Sequence, residues 1–172
     1  MHPLSLPSLL GLFRPPFDSD QPGRDDAAFV EAAETARRIL EAQVRSTASF
    51  LRSRAIVREA MGDRTHPNWI ELPRSMEYLD TILSAGAEGE ADRIEFVVLQ
   101  SRDEWQLKTV NVSLDSFQSR RMLPAAWAGL RGPDLVAVTG VADAVFCHSG
   151  RFVAIARSRE GVMSLLSQAL AT

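Results

Sequence analysis

The chain has 172 residues, 45% hydrophobic and 24% charged, enough for one globular domain or one domain with a helical extension. A formal net charge of -3 and a pI near 5.6 exclude a protein that coats nucleic acid by bulk charge. No apolar run approaches the length of a membrane span, and a single cysteine, Cys147, excludes an internal disulfide and suits a reducing cytoplasm.

Residues 1–24 are punctuated by Pro3, Pro7, Pro15 and Pro16 and are expected to form an arm or linker. Leu4, Leu6, Leu9, Leu10, Leu12 and Phe13 are expected to pack on something, with a short helix from Pro7 to Phe13. The arm lacks a basic n-region and a cleavage site, so it is not read as a signal peptide. Residues 25–172 are expected to form one α+β domain. Asp25 and Asp26 suit the first turn of a long helix, where carboxylates accept from unpaired amides, and Gly62 is its expected stop. Phe29, Ala33, Ala36, Leu40, Val44, Ala48, Leu51 and Ala55 recur at helical spacing, as expected of a core face.

Residues 68–172 are expected to hold a sheet and packed helices. Asn68–Pro73 predicts a short strand, and Met76, Leu79, Ile82 and Leu83 predict a helix ending at Gly86. An acidic loop, 85–92, follows. Ile94–Gln100 and Trp105–Val112 are the clearest strands, joined by a four-residue turn. The first is apolar throughout and is expected to lie centrally. The second alternates, with Trp105, Leu107 and Thr109 on one face and Gln106 and Lys108 on the other. Pro133–Thr139 predicts a helix stopped by Gly140. Ala144–His148 and Arg151–Ala156 predict a second hairpin across Ser149-Gly150, and Ser158 caps a final helix. The sum is α+β: a mostly antiparallel sheet built from two hairpins, flanked by a long N-terminal helix and a C-terminal helix.

The stretch Ser116–Arg131 joins these halves. Arg120, Arg121 and Arg131 are donors suited to phosphate or carboxylate, Phe117 and Trp127 are large anchors, and Leu123-Pro124 marks the start of a short helix. By residue type it is an ordered connection, either a binding site or a tightly packed crossover. His148, Ser149, Gly150 and Arg151 sit at the tip of the second hairpin, where side chains and amides are available to a ligand. Metal and covalent chemistry find no support. The three histidines, His2, His66 and His148, are far apart in sequence, and Cys147 and His148, adjacent on a strand, point to opposite faces.

The pattern Phe117-x-Ser119-Arg120-x-x-Leu123-Pro124-x-x-Trp127-x-Gly129-Leu130-Arg131 resembles the C-terminal region of the Myg (melanocyte proliferating gene) family of DHH-type nucleases. The resemblance continues through Leu135-x-x-Val138-Thr139-Gly140-Val141, Val145-Phe146-Cys147-His148, Phe152 and Arg157-Ser158-Arg159-Glu160-Gly161. Upstream, Phe29 to Met61 is similar to the family's long helical segment. The resemblance implies the fold of the substrate-binding domain of DHH-type phosphodiesterases. It also implies a binding role for His148, with Arg120 on the phosphate, beside Arg121, Arg131, Ser149, Gly150 and Arg151. Two departures stand out: Arg151 occupies a position where many members have glycine, and Ala154-Ile155 replace a glycine pair.

Intact members resemble metal-dependent 3'-5' exonucleases. Their catalytic His-Asn-Gly-x-Phe-His-x-Asp-Glu motif does not occur between Met1 and Thr172, so this chain alone is expected not to hydrolyse a phosphodiester. No cofactor is expected on the chain; Mn or Mg is implied only for the catalytic domain. The implied partners are a separately encoded catalytic domain, an RNA or nucleotide ligand, and a second copy in a homodimer, with no membrane. A fragment of a longer enzyme fits the same pattern. The alternative is a protein-interaction or oligomerisation module without nucleotide binding.

Overall fold

The computed structural model describes residues 5–16, 18, 22–63, 65–86 and 93–172. Leu4 and most of the acidic loop, residues 87–92, therefore lie outside the described residues. The chain divides into two compact units, Met1–Leu51 and Arg52–Thr172.

In the first unit, helix α1 (Leu6–Leu10) begins where the Ser5 hydroxyl accepts from the Ser8 amide, and runs into a 3-10 turn at Gly11–Phe13. The short helix expected over Pro7–Phe13 is thus present, split in two. Helix α2 (Arg24–Gly62) begins in this unit and ends in the second, with Asp25 and Asp26 in its first turn. Its solvent side carries a ladder in which Arg37 bridges Glu34 (2.6 Å) and Glu41 (2.5 Å). The hydrogen bond from Arg37 holds the Glu34 carboxyl below its ordinary range. Exposed pairs at this spacing add only tenths of a kcal/mol each, about 0.3–0.5. The apolar stripe departs from the expected core face. Phe29, Leu40, Val44 and Leu51 are exposed, and only Ser53 and Val57 of the whole helix are buried. The physical reason is local: Val57, in the second unit, packs in a core cluster with Ile70, Leu72, Ile82 and Val97, with Ile56, Ala60 and Met61 beside it, and no described residue before Arg52 belongs to a buried cluster.

The second unit is built on a five-stranded sheet of order β1-β2-β3-β5-β4, comprising β1 (Trp69–Leu72), β2 (Phe96–Ser101), β3 (Glu104–Thr109), β4 (Ala144–Cys147) and β5 (Val153–Ala156). Helix α3 (Leu79–Gly86) lies between β1 and β2 in sequence, α4 (Gly132–Thr139) precedes β4, and α5 (Arg159–Ala171) closes the chain. Both expected hairpins form, and β3 pairs antiparallel with β5 to join them. The β1–β2 pair is parallel, because α3 returns the chain to the end from which β1 started. The α+β reading holds, with a mixed sheet.

Strand parity sorts the core. Phe96, Val98, Leu107, Ala154 and Ala156 face one side and pack with Val162, Leu165 and Leu166 of α5. Val97 and Leu99 face the other side, where Ile70 and Leu72 of β1 join Val57 and Ile82. Buried on both faces and flanked by β1 and β3, β2 is the interior strand its apolar run predicts. Each fully buried leucine contributes about 1.5–3 kcal/mol by leaving water. The second face is covered only over β1 and β2. Over β3, β5 and β4 the same side presents Gln106, Lys108, Val153, Ile155 and Phe146, all half-buried.

Candidate functional site

The pairs Phe96↔Thr109, Lys108↔Val153 and Cys147↔Ala154 bring one end of four strands level. The segment 110–131 closes that end. It leaves β3 as a pinched loop: Arg120 donates its amide to Val110 O (2.8 Å), Val112 to Gln118 O (2.9 Å), and the Asn111 side chain to Ser116 O (2.8 Å). At the tip Phe117 is 101% exposed. Leu123 and Trp127 then turn inward and are buried, the latter in a 3-10 turn at Ala125–Trp127. The short helix expected after Leu123-Pro124 is that single turn. Gly129 and Leu130 run beside β4, exchanging bonds with Cys147 (3.1 and 3.0 Å), and Arg131 bridges to Phe146.

Arg120 and Arg121 reach toward the start of β2. Arg120 donates Nη1 to Ile94 O (3.0 Å). Arg121 pairs with Glu95 (3.0 Å), donates Nη2 to Leu170 O (3.0 Å) and lies 5.9 Å from the centre of the Phe96 ring. These contacts tie the segment to the sheet and to α5.

The other predicted residues gather at the β4–β5 turn. The Arg131 guanidinium sits 4.6 Å over the Phe146 ring and is exposed. His148 lies 4.1 Å from Phe152, centroid to centroid, and meets Phe146 edge-on at 6.1 Å. Its Nδ1 accepts the Gly150 amide (2.9 Å), which in the neutral ring places the proton on Nε2. Ser149 and Gly150 form the exposed tip. A Cβ at Gly150 would stand 3.1 Å from the Phe152 ring, so the absence of a side chain lets the turn sit against the aromatic pair.

Arg151 explains one departure noted in the sequence. Its φ of 57° is left-handed, the conformation that favours the glycine that the family resemblance implies here. The turn therefore keeps its shape with an arginine in it. The guanidinium lies along the capping segment, donating to Leu123 O (3.4 Å) and contacting Met122 Sδ (3.1 Å).

Cys147 is buried, and burial pushes its thiol up to about 11 despite the opposing influence of Arg151, which disfavours the thiolate that a nucleophile needs. Among the described residues no three His, Cys, Asp or Glu side chains converge as a metal-binding group. The described residues thus do not fit the divalent metal implied for the nuclease chemistry. No described helix is long and apolar enough to cross a membrane.

A groove of about 500 Å³ on the uncovered sheet face was not foreseen. Gln106, Lys108, Val153 and Ile155 form its floor, with Phe117, Phe152, Asn111, Tyr78 and Leu79 around it. Burial pushes the Tyr78 hydroxyl up to about 12. The available signal was the polar register of β3, Gln106 and Lys108, which is set against apolar Val153 and Ile155 only once β3 and β5 are paired.

Residues 1–170 match the family model MYG1_exonuc, described as "Uncharacterised protein family (UPF0160)". A MYG1 protein of Saccharomyces cerevisiae is 29% identical over 98% of this chain and 52% of its own length. A MYG1 protein of Chlamydia pneumoniae is 35% identical over 66% of this chain and 38% of its own. The human relative, named MYG1 exonuclease, is 33% identical over 72% of this chain and 35% of its own. The chain spans about half the length of the yeast relative and less of the others. No solved structure matches. With nearly its whole length inside the family model, the chain belongs to the MYG1 family.

Proposed function

We propose that the sheet end and its adjoining groove bind a nucleotide or an RNA end, and that this chain is the substrate-holding part of a DHH-type exonuclease. The supporting observation is the combination of apolar rings and charge donors around one opening. Phe152 and Phe117 flank a floor carrying Lys108 and Gln106, and the exposed Arg131 guanidinium and the Nε2 edge of His148 lie at the adjoining turn. Bases stack on aromatic faces whatever their identity, while guanidinium and ammonium groups hold phosphate. Human and mouse relatives named MYG1 exonuclease support the substrate class. The metal ions and the water they activate belong to residues beyond those described, on a catalytic domain in the same or another polypeptide, and Mn or Mg would be the ion.

The test is thermal shift and fluorescence anisotropy of the purified chain with nucleoside monophosphates and short RNA and DNA oligonucleotides. Wild type is compared with Arg131→Ala and Phe152→Ala. A ligand at 100 times its dissociation constant stabilises by about 2.7 kcal/mol, a shift of several degrees. Loss of that shift in both variants is expected. Binding that both variants leave intact, or no binding by wild type, refutes the assignment. Arg120→Ala is less diagnostic, because its guanidinium also holds Ile94 O.

A further inference from the structure

The uncovered sheet face carries two lines of side chains that run across the strands. Gln106 of β3 pairs with Ile155 of β5, Ile155 pairs with Phe146 of β4, and Phe146 bridges to Arg131 on the returning segment. Two residues further along β3, Lys108 pairs with Val153, whose carbonyl accepts the His148 amide (2.9 Å). Directly opposed residues of antiparallel strands share a face, so each line is continuous. Lys108 and Arg131 stand on opposite margins, roughly 14 Å apart from the first lane to the fourth at about 4.8 Å per lane. Between them the surface is apolar and aromatic. Val153 and Ile155 lie beside the rings of Phe146, His148 and Phe152, which follow one another at 6.1 and 4.1 Å.

The charge at both margins is uncompensated. Among the described residues no carboxylate pairs with Lys108 or Arg131, in contrast to Arg121, which Glu95 holds. The lining of the groove around Lys108 contains no acid. Glu104 shares the parity of Lys108 but lies at the other end of β3, beyond Gln106. Two unpaired cations separated by ring faces suit an occupant with repeated negative charge and planar groups between the charges. A single strand of nucleic acid has that pattern. An acidic peptide supplies the charge without the planes, and a duplex keeps its bases paired and stacked on one another.

We infer that this face is a platform for a single strand lying across β3, β5 and β4, with phosphates at Lys108 and Arg131 and bases on the rings between. A four-stranded sheet bearing aromatic side chains stacks about two or three bases, so the ligand is a short single-stranded oligonucleotide rather than a mononucleotide. The inference rests on the nucleotide-binding reading above and adds the ligand's length, strandedness and path.

Fluorescence anisotropy of the full chain with labelled single strands of increasing length tests it, with unlabelled mononucleotides, a blunt duplex and polyglutamate as competitors. Affinity is expected to climb about tenfold or more from mononucleotide to trinucleotide and to level off beyond, with duplex and polyglutamate competing about tenfold more weakly than the trinucleotide. Lys108→Gln is expected to weaken trinucleotide binding and to reduce the slope of log K against log salt by about 0.7, the share of one phosphate on a single strand. A merely structural role would leave that slope unchanged. Phe146→Leu, which keeps an apolar side chain and removes the ring, is expected to cost about tenfold, and Phe146→Tyr to restore the affinity. Equal affinity for mononucleotide and trinucleotide, a duplex bound as tightly as the single strand, or an unchanged slope in Lys108→Gln overturns the platform while the nucleotide site stands. Competition by polyglutamate equal to that of the trinucleotide overturns it in favour of an acidic peptide, and no binding by any nucleotide overturns both readings.

Discussion

Gly161 is the position where one methyl group is expected to cost the most for its size. It occupies the first turn of α5, and a Cβ built there would lie 2.1 Å from Asp143 Oδ1 and 2.7 Å from Asp143 Cγ. Asp143 has to move. Its Oδ2 accepts the Ser158 amide (2.7 Å), while the Ser158 hydroxyl accepts the Gly161 amide (3.0 Å), so two side chains share the unpaired donors at the start of the helix. A hydrogen bond to a charged group contributes about 1.5–3 kcal/mol. Replacing glycine by alanine in a helix returns up to about 1 kcal/mol. The net expectation for Gly161→Ala is a loss of about 1–2 kcal/mol, or roughly 4–8 °C in Tm for a unit of this size. The decisive measurement is a double-mutant cycle in urea. In an Asp143→Ala background the obstacle and the cap are both gone, so Gly161→Ala should be neutral or slightly stabilising there. Equal cost in the two backgrounds would refute the argument. The Arg157–Gly161 motif then has a structural explanation: its glycine makes room for the carboxylate that caps the helix.

Two further outcomes follow from the turn and the core. Arg151→Gly should be more stable than Arg151→Ala by about 1 kcal/mol, since only glycine relieves the left-handed φ of 57°; thermal melts that rank alanine equal or higher would contradict this. Stability should fall as pH rises above 9, because the unfolded Cys147 thiol releases its proton near 9.0 while the folded one retains it to about 11. The loss approaches about 1.4 kcal/mol per pH unit between those values and is absent below them. Tyr78 adds to it in the same direction, from its ordinary 10.0 to about 12. Urea melts at pH 8, 9 and 10 should show the slope from 9 to 10 in wild type and a flatter one in Cys147→Ala; equal slopes would rule Cys147 out as the cause.

Much of the fold was legible because its signals are local. The β2–β3 hairpin is written in an apolar run, a four-residue turn and an alternating strand, and α5 in a serine cap with an apolar face. The parallel partner β1 was not legible as such. Trp69–Leu72 is four residues long, and its direction depends on where α3 delivers the chain, which no local pattern encodes. The stripe on α2 was read correctly as periodic, but periodicity does not say what covers a face. Of the predicted site residues, His148 to Arg151 do lie at a hairpin tip, a placement legible because turns are punctuated by small and polar residues. Arg120 and Arg121 were chosen for their chemistry, yet Ile94 O, Glu95 and Leu170 O, which they hold, are remote in sequence. The groove needed β3 and β5 side by side before Lys108 and Ile155 shared a face.

The return of Gly129–Arg131 along β4 also bears on solubility. A sheet ends in strands whose outward amides and carbonyls can recruit another polypeptide. On the β4 side that role is taken by the chain itself, since Gly129 and Leu130 satisfy Cys147 in both directions and Arg131 bridges Phe146. At the other margin β1 is only four residues long and is followed at once by Pro73, which has no amide to offer. With one margin occupied and the other brief, the sheet is poorly suited to growing by strand addition. Mutations that loosen 129–131 would therefore show themselves as aggregation.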